Sequence, residues 1–149
     1  MDDLALALEL ADLADSITLD RYRGADLVIE TKPDLTPVTE ADRAVERAIR
    51  SRLEELRPDD AVVGEEYGAS PESGSARRWI VDPIDGTKSY MRRMPTWATL
   101  IALSVEEQVS IGVVAAPALG HRWWAQRGSG AFADGHPIEV SNVSRLEDA

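Results

Sequence analysis

An α+β fold is predicted, with two N-terminal helices packed on a largely antiparallel sheet. Apolar residues recur at spacings of three and four over residues 2 to 22 and again over 39 to 56, which is the period of an amphipathic helix. From residue 61 onward that period gives way to short apolar runs separated by turn residues, the pattern of strands. The 149 residues include no cysteine, so no disulfide framework, thiolate metal site or cysteine nucleophile is available. A chain of that length buries roughly two thirds of its unfolded surface in one core, and residues 1-149 are expected to form a single domain.

The first helix runs from Asp2 to about Tyr22. Leu6, Leu10, Leu13 and Ile17 form one stripe, and Leu4, Leu8 and Ala11 a second, so cover on two sides is expected. Pro33 and Pro37 break any helix between Asp26 and Thr39, leaving a loop or short hairpin. The second helix runs from Thr39 to about Leu56, with Val45, Ile49, Leu53 and Leu56 inward, and Pro58-Asp59-Asp60 stops it.

Ala61-Val62-Val63 and Trp79-Ile80-Val81 read as strands, joined through an exposed loop over residues 68 to 78. Trp97 to Ser104 and Val109 to Ala115 form a hairpin closed by Val105-Glu106-Glu107-Gln108. Trp123-Trp124-Ala125, Gly130-Ala131-Phe132 and the stretch carrying Ile138 and Val140 add further strands, with Asp134-Gly135 as a turn. Alternation along a strand buries one of Trp123 and Trp124 and leaves the other at a surface or subunit interface. His121 and His136 fall at surface or turn positions.

The formal net charge is −11. Residues 1 to 66 hold 18 Asp+Glu against 8 Lys+Arg, so the excess lies on the helical part, mostly as solvated acidic faces. Such a balance opposes binding to a nucleic-acid backbone, where affinity comes from Lys and Arg on phosphates. A small phosphate ester remains possible if a bound cation reverses the local field. The acidic start and the lack of any run near the ~18 apolar residues of a membrane span predict neither signal peptide nor anchor, hence a cytoplasmic protein.

The strongest local signal is Asp82-Pro83-Ile84-Asp85-Gly86-Thr87 after a hydrophobic strand. Two carboxylates three residues apart, held by a rigid Pro and a permissive Gly, can converge on one point with the intervening carbonyl, offering hard oxygen ligands to Mg²⁺ or Mn²⁺. A polar turn with a helix cap is the plainer alternative. Glu65 and Glu66, at the end of another strand, come within reach of Asp82 and Asp85 if the strands are neighbours, and such crowding is costly without a cation. Glu65 is the better ligand candidate, with Glu66 turned toward solvent. Asp42, three residues after Thr39, reads equally as the partner in a capping box and as a rigidly held functional carboxylate.

These segments, in this order with Thr36-Pro37-Val38-Thr39-Glu40-Ala41-Asp42, resemble the inositol monophosphatase superfamily of metal-dependent phosphomonoesterases. Within it, Glu30-Thr31-Lys32-Pro33-Asp34, Trp97-Ala98-Thr99-Leu100-Ile101-Ala102-Leu103 and Ala116-Pro117-Ala118-Leu119-Gly120-His121-Arg122-Trp123-Trp124 are most similar to histidinol-phosphate phosphatases. The resemblance covers essentially the whole chain and implies a sugar-phosphatase-like layered fold. It also implies two or three Mg²⁺ ions, with Mn²⁺ as an alternative. Glu65, Asp82 and the Ile84 carbonyl would hold the first ion, and Asp82 and Asp85 would contribute to the second. Asp42 and Thr87, with Glu65 alongside, would orient and deprotonate the attacking water. Gly86 and Thr87 would offer backbone N–H groups to the phosphate, with Glu66 and Lys32 peripheral. The implied reaction is hydrolysis of L-histidinol phosphate to L-histidinol and phosphate, in a possible homodimer with no nucleic-acid or membrane partner.

Two departures lie beside the phosphate loop. Ser89 stands where Asn commonly follows Gly-Thr-Lys, and Arg93 stands where Gly is usual. Arg92-Arg93 otherwise reads as a solvated pair. Family members are longer, with a later Trp-Asp motif for the second metal, and this chain is expected to be the N-terminal, metal-binding portion with the C-terminal α/β part missing. Two alternatives accompany the leading reading: an inositol or other sugar-phosphate phosphatase, and a catalytically silent domain that binds metal or a partner.

Overall fold

The computed structural model describes residues 1–24, 29–31, 37–70 and 74–148. Helix α1, Asp3–Arg23, starts where Asp2 accepts the Ala5 N–H at 2.7 Å and ends at Gly24. Its buried residues are Leu6, Ala7, Leu10, Ala11, Ala14 and Thr18. Leu4, Leu8 and Ile17 are half-buried at their margins, and the helix meets both the second helix and the sheet, so the expected cover on two sides is present.

Strands β1 (Ile29–Thr31) and β2 (Pro37–Thr39) form a small antiparallel pair in which Ile29 faces Thr39. This is the short hairpin expected between the helices. Helix α2 follows as Glu40–Leu56, with Val45, Ile49 and Leu53 buried and Leu56 half-buried. Ala41, Asp42 and Glu46 are buried on the same helix, two of them charged.

The remaining strands are β3 (Ala61–Gly64), β4 (Gly68–Ala69), β5 (Arg77–Asp85), β6 (Ala98–Val105), β7 (Gln108–Ala116), β8 (His121–Gln126), β9 (Gly130–Ala133) and β10 (His136–Ile138). Helix α3, Thr87–Met91, lies between β5 and β6. The sheet order is β10-β9-β8-β7-β6-β5-β3-β4. Every pairing is antiparallel except β3 with β5. The predicted α+β class and the largely antiparallel sheet are therefore observed.

Three details differ from expectation. Residues 68 and 69 are a short strand rather than loop, because Gly68 at φ +69° turns the chain back onto β3. Val140 lies beyond the last strand and is 92% exposed. Trp123 and Trp124 are both half-buried, with Trp124 stacked on Phe132 at 5.6 Å between centroids. Helix α1 packs on β6 and β7, so β8 receives only part of its cover and alternation there does not separate a dry face from a wet one.

The main core lies between the helices and one face of the sheet, where Trp79, Val81, Ile101, Leu103, Ile111 and Val113 alternate inward. The Trp79 indole N–H donates to Asp60 Oδ2 at 2.9 Å, and Arg77 Nε donates to Asp60 Oδ1 at 2.9 Å. A buried polar pair thus ends α2 against β5 without an orphaned donor. A second cluster of Ala41, Ile84, Tyr90 and Trp97 underlies the start of α2 and the end of β5. Its Tyr90 and Trp97 rings meet edge to face at 4.9 Å, and Tyr90 OH donates to the Thr18 carbonyl at 2.8 Å. No helix among the described residues is long and apolar enough to cross a membrane.

Candidate metal and phosphate site

Asp42 is held by the first turn of its own helix. Its Oδ2 accepts the Thr39 N–H at 2.8 Å and the Thr39 Oγ1 hydroxyl at 2.6 Å, and Thr39 Oγ1 in turn caps the Asp42 N–H at 3.4 Å. The predicted capping box is therefore present. It leaves Asp42 Oδ1 buried with no hydrogen-bond partner among the described residues. Burial pushes the Asp42 carboxyl up to about 6, against the Thr39 hydrogen bonds, and the nearby Glu66 charge adds to the rise.

The parallel pairing of β3 with β5 brings the two acidic strand ends together. Gly64 faces Val81, and the Glu65 N–H continues the ladder by donating to the Val81 carbonyl at 3.2 Å. Glu65 is exposed and Glu66 half-buried, so the expectation that Glu66 is the one turned toward solvent is corrected, and Asp82 is half-buried. The Asp82 carboxyl is pushed up to about 7 by burial first, then by its hydrogen bond to Glu65 and the charges of Glu65, Asp85 and Asp42. Two carboxyl groups that share a hydrogen bond must share a proton, so their contact signals excess negative charge in one place. Asp82 Oδ1 is a second buried oxygen without a partner among the described residues.

The Asp82 to Asp85 segment is not the polar turn of the plainer alternative but the continuation of β5, and the helix cap follows it at Gly86. The pairing with β6 runs to Asp82↔Leu100, then slips, and resumes at Asp85↔Ala98. This irregularity swings the carbonyls of Pro83 and Ile84 out of the ladder. The buried Thr99 Oγ1 takes up the first at 2.8 Å, and Thr87 Oγ1 takes up the second at 3.0 Å. A proline fits here because the slip needs no N–H from residue 83. Gly86 then adopts φ +86° as the N-cap of α3, where a Cβ would stand 3.0 Å from the Thr96 carbonyl. The Ser89 and Tyr90 N–H groups donate back to the Gly86 carbonyl at 2.8 and 3.0 Å, which leaves the N–H groups ahead of them, at the very start of α3, without an acceptor inside the helix.

Glu46 and Thr99 carry structural duties that the sequence reading did not assign. Glu46 lies four residues after Asp42, three before Ile49 and seven before Leu53, on the buried side of α2, and that spacing was the available signal. Lys32 lies outside the described residues. His121, at the start of β8, is exposed as expected, and its Nδ1 pairs with Asp134 Oδ2 at 2.7 Å. Arg93, read as half of a solvated pair, is engaged: its guanidinium donates to the carbonyls of Arg21 at 3.1 Å, of Gly24 at 2.6 Å, and of Tyr22.

Among the described residues no three of His, Asp and Glu converge tightly enough to form a ready-made metal cage. The chemistry of the cluster nevertheless fits a hard cation. Its donors are carboxylate and carbonyl oxygens, two of them buried and unsatisfied, and they raise one another's protonation rather than neutralise each other.

The inositol monophosphatase family profile matches residues 2–149, and the chain belongs to that family. It is 57% identical to the histidinol-phosphatase of Mycobacterium tuberculosis over 99% of this chain and 58% of that protein. It is 52% identical to the histidinol-phosphatase of Streptomyces coelicolor, over 100% of this chain and 59% of that protein. Among solved structures, the Thermotoga maritima IMPase superposes with a TM-score of 0.86 at 33% identity, over 95% of this chain and 55% of that one. The chain therefore spans somewhat more than half the length of the relatives it matches.

Proposed function

We propose that this chain carries the metal-binding and water-activating part of a Mg²⁺-dependent phosphomonoesterase acting on L-histidinol phosphate. The observation that carries the reading is the pair of buried, unsatisfied oxygens on Asp42 and Asp82 beside Glu65 and Asp85. Glu65, Asp82 and the Ile84 carbonyl hold one ion, and Asp82 with Asp85 contributes to another. Bound Mg²⁺ supplies Lewis acidity to the phosphoryl oxygens and offsets the charge of an anionic ester in an acidic protein.

The chain's own residues place the water and the phosphate. Asp42 is fixed through Oδ2, so Oδ1 is left to accept a proton, and a carboxyl poised at about 6 suits a base working near neutral pH. The Thr87 hydroxyl spends its proton on the Ile84 carbonyl, which turns its lone pairs outward to receive a hydrogen from the same water. Gly86 and Thr87 present backbone N–H groups to a phosphate oxygen.

The identities of 57% and 52% to two histidinol-phosphatases favour histidinol phosphate as substrate. The likeness to the Thermotoga IMPase supports inositol phosphate as the second reading. Phosphate release with Mg²⁺ is measured on both esters side by side. The expected result is a higher kcat/KM for histidinol phosphate and a loss of at least about 100-fold in Asp82→Asn. Preference for inositol phosphate replaces the substrate. Full turnover by Asp82→Asn at limiting Mg²⁺ removes the site assignment, and no turnover by the unaltered protein favours a silent metal-binding domain.

A further inference from the structure

Glu46 is a fully buried carboxylate on α2, one turn beyond Asp42, and no step above uses it. Its Oε2 accepts the Glu66 N–H at 2.7 Å, and its Oε1 accepts the Tyr67 N–H at 3.2 Å. Arg50, one turn further along the same helix, donates from Nε to Oε1 at 2.8 Å and also reaches the Gly68 carbonyl. The turn from Gly64 to Gly68 is thereby fastened to α2 by a charged acceptor that receives two successive backbone donors.

The space Glu46 occupies is the space a side chain at position 64 would need. A Cβ built on Gly64 lands inside the Glu46 carboxylate. Glycine at 64 is therefore what admits the carboxylate, although its backbone φ is not in the left-handed region.

From these contacts we infer that Glu46 is a positioning residue for Glu65. The peptide plane before Glu65 is fixed by its N–H on the Val81 carbonyl, and the plane after it by the Glu66 N–H on Glu46. With both planes set, the Glu65 side chain is aimed at Asp82. Asp42 and Glu46 project from one face of one helix, so α2 sets the separation between the capped carboxylate and the Glu65 turn. The inference rests on the metal reading proposed above and adds a residue that touches neither ion nor phosphate.

The test is Mn²⁺ binding to the protein, followed calorimetrically or by the loss of the free-ion resonance signal, without substrate. Glu46→Ala is expected to weaken Mn²⁺ at least about tenfold, in the range seen when outer-shell partners of a metal ligand are removed. Glu46→Gln, which keeps one acceptor for the Glu66 N–H, loses less than about threefold, a partial retention of the hydrogen bond. Gly64→Ala loses as much as Glu46→Ala, and adding it to Glu46→Ala costs nothing more, because both act on one contact. Leu53→Ala, which opens a cavity in the same helix away from the turn, lowers the unfolding midpoint and leaves Mn²⁺ affinity unchanged. Wild-type affinity in a folded Glu46→Ala or Gly64→Ala, or an equal loss in Leu53→Ala, overturns the role of Glu46 alone. No Mn²⁺ binding by the unaltered protein overturns the metal reading, and this inference with it.

Discussion

Asp42 Oδ2 accepts both the backbone N–H and the hydroxyl of Thr39, and Asp42 Oδ1 on the same carboxyl is buried without a partner among the described residues. One residue thus ends a strand, caps a helix and aims a carboxylate. Thr39→Ala removes the hydroxyl bond and the side-chain cap of α2 together. The expected cost is about 1–2 kcal/mol in urea unfolding, at the upper part of the range for lost N-caps because the site is buried. Thr39→Ser keeps both bonds and is expected to cost less than about half of that. Equal midpoints for the two variants would mean the hydroxyl contributes nothing.

The pH dependence of stability follows from the two raised carboxyls. Asp42 at about 6 and Asp82 at about 7 both lie above the 3.8 of an ordinary aspartate, so the folded chain binds these protons more tightly than the unfolded chain. Their contribution is fully present below about pH 4 and is lost as pH rises through about 6 and 7. With a chelator present, the unfolding midpoint is expected to fall between about pH 4 and 7. The loss is on the order of 1–2 kcal/mol, reduced from the full linkage value because Asp82 is partly solvated. Asp82→Asn flattens the upper part of the profile, and adding Mg²⁺ at the alkaline end restores the midpoint of the unaltered protein. A midpoint that rises over this range, or that ignores the ion, contradicts the crowded-carboxylate account.

Periodicity and punctuation reveal the helices, the central hairpin and the Asp82 motif, because each has a local cause that survives into the fold. The capping box at Thr39 and Asp42 is local in the same sense, with a span of four residues and two reciprocal bonds. What periodicity cannot reveal is which long-range partner takes up a buried polar group. Thr99 looks like any β-branched strand residue until the slip in β5 gives it the Pro83 carbonyl to hold. Glu46 looks like one more charge on an acidic helix until Gly64 leaves room for it. The apparent turn at Asp82 to Asp85 is a strand for the same reason: its regularity comes from β6, not from its own residues.

Arg93 combines two effects that substitutions can separate. It occupies the left-handed region at φ +60°, where glycine is favoured, and its guanidinium closes the C-terminal end of α1 while lying 5.8 Å over the Tyr22 ring. Glycine adopts this backbone conformation without strain. Arg93→Ala keeps the strain and loses the cap, and is expected to cost about 1–2 kcal/mol. Arg93→Gly loses the same cap but relieves about 1 kcal/mol of left-handed strain, so it is expected to lie closer to the unaltered protein. Urea midpoints of the three proteins, compared at one pH, separate the terms. If alanine and glycine give the same midpoint, the strain is absent. If alanine matches the unaltered protein, the bonds from Arg93 to α1 contribute no net stability, and arginine at this position is explained by neither effect.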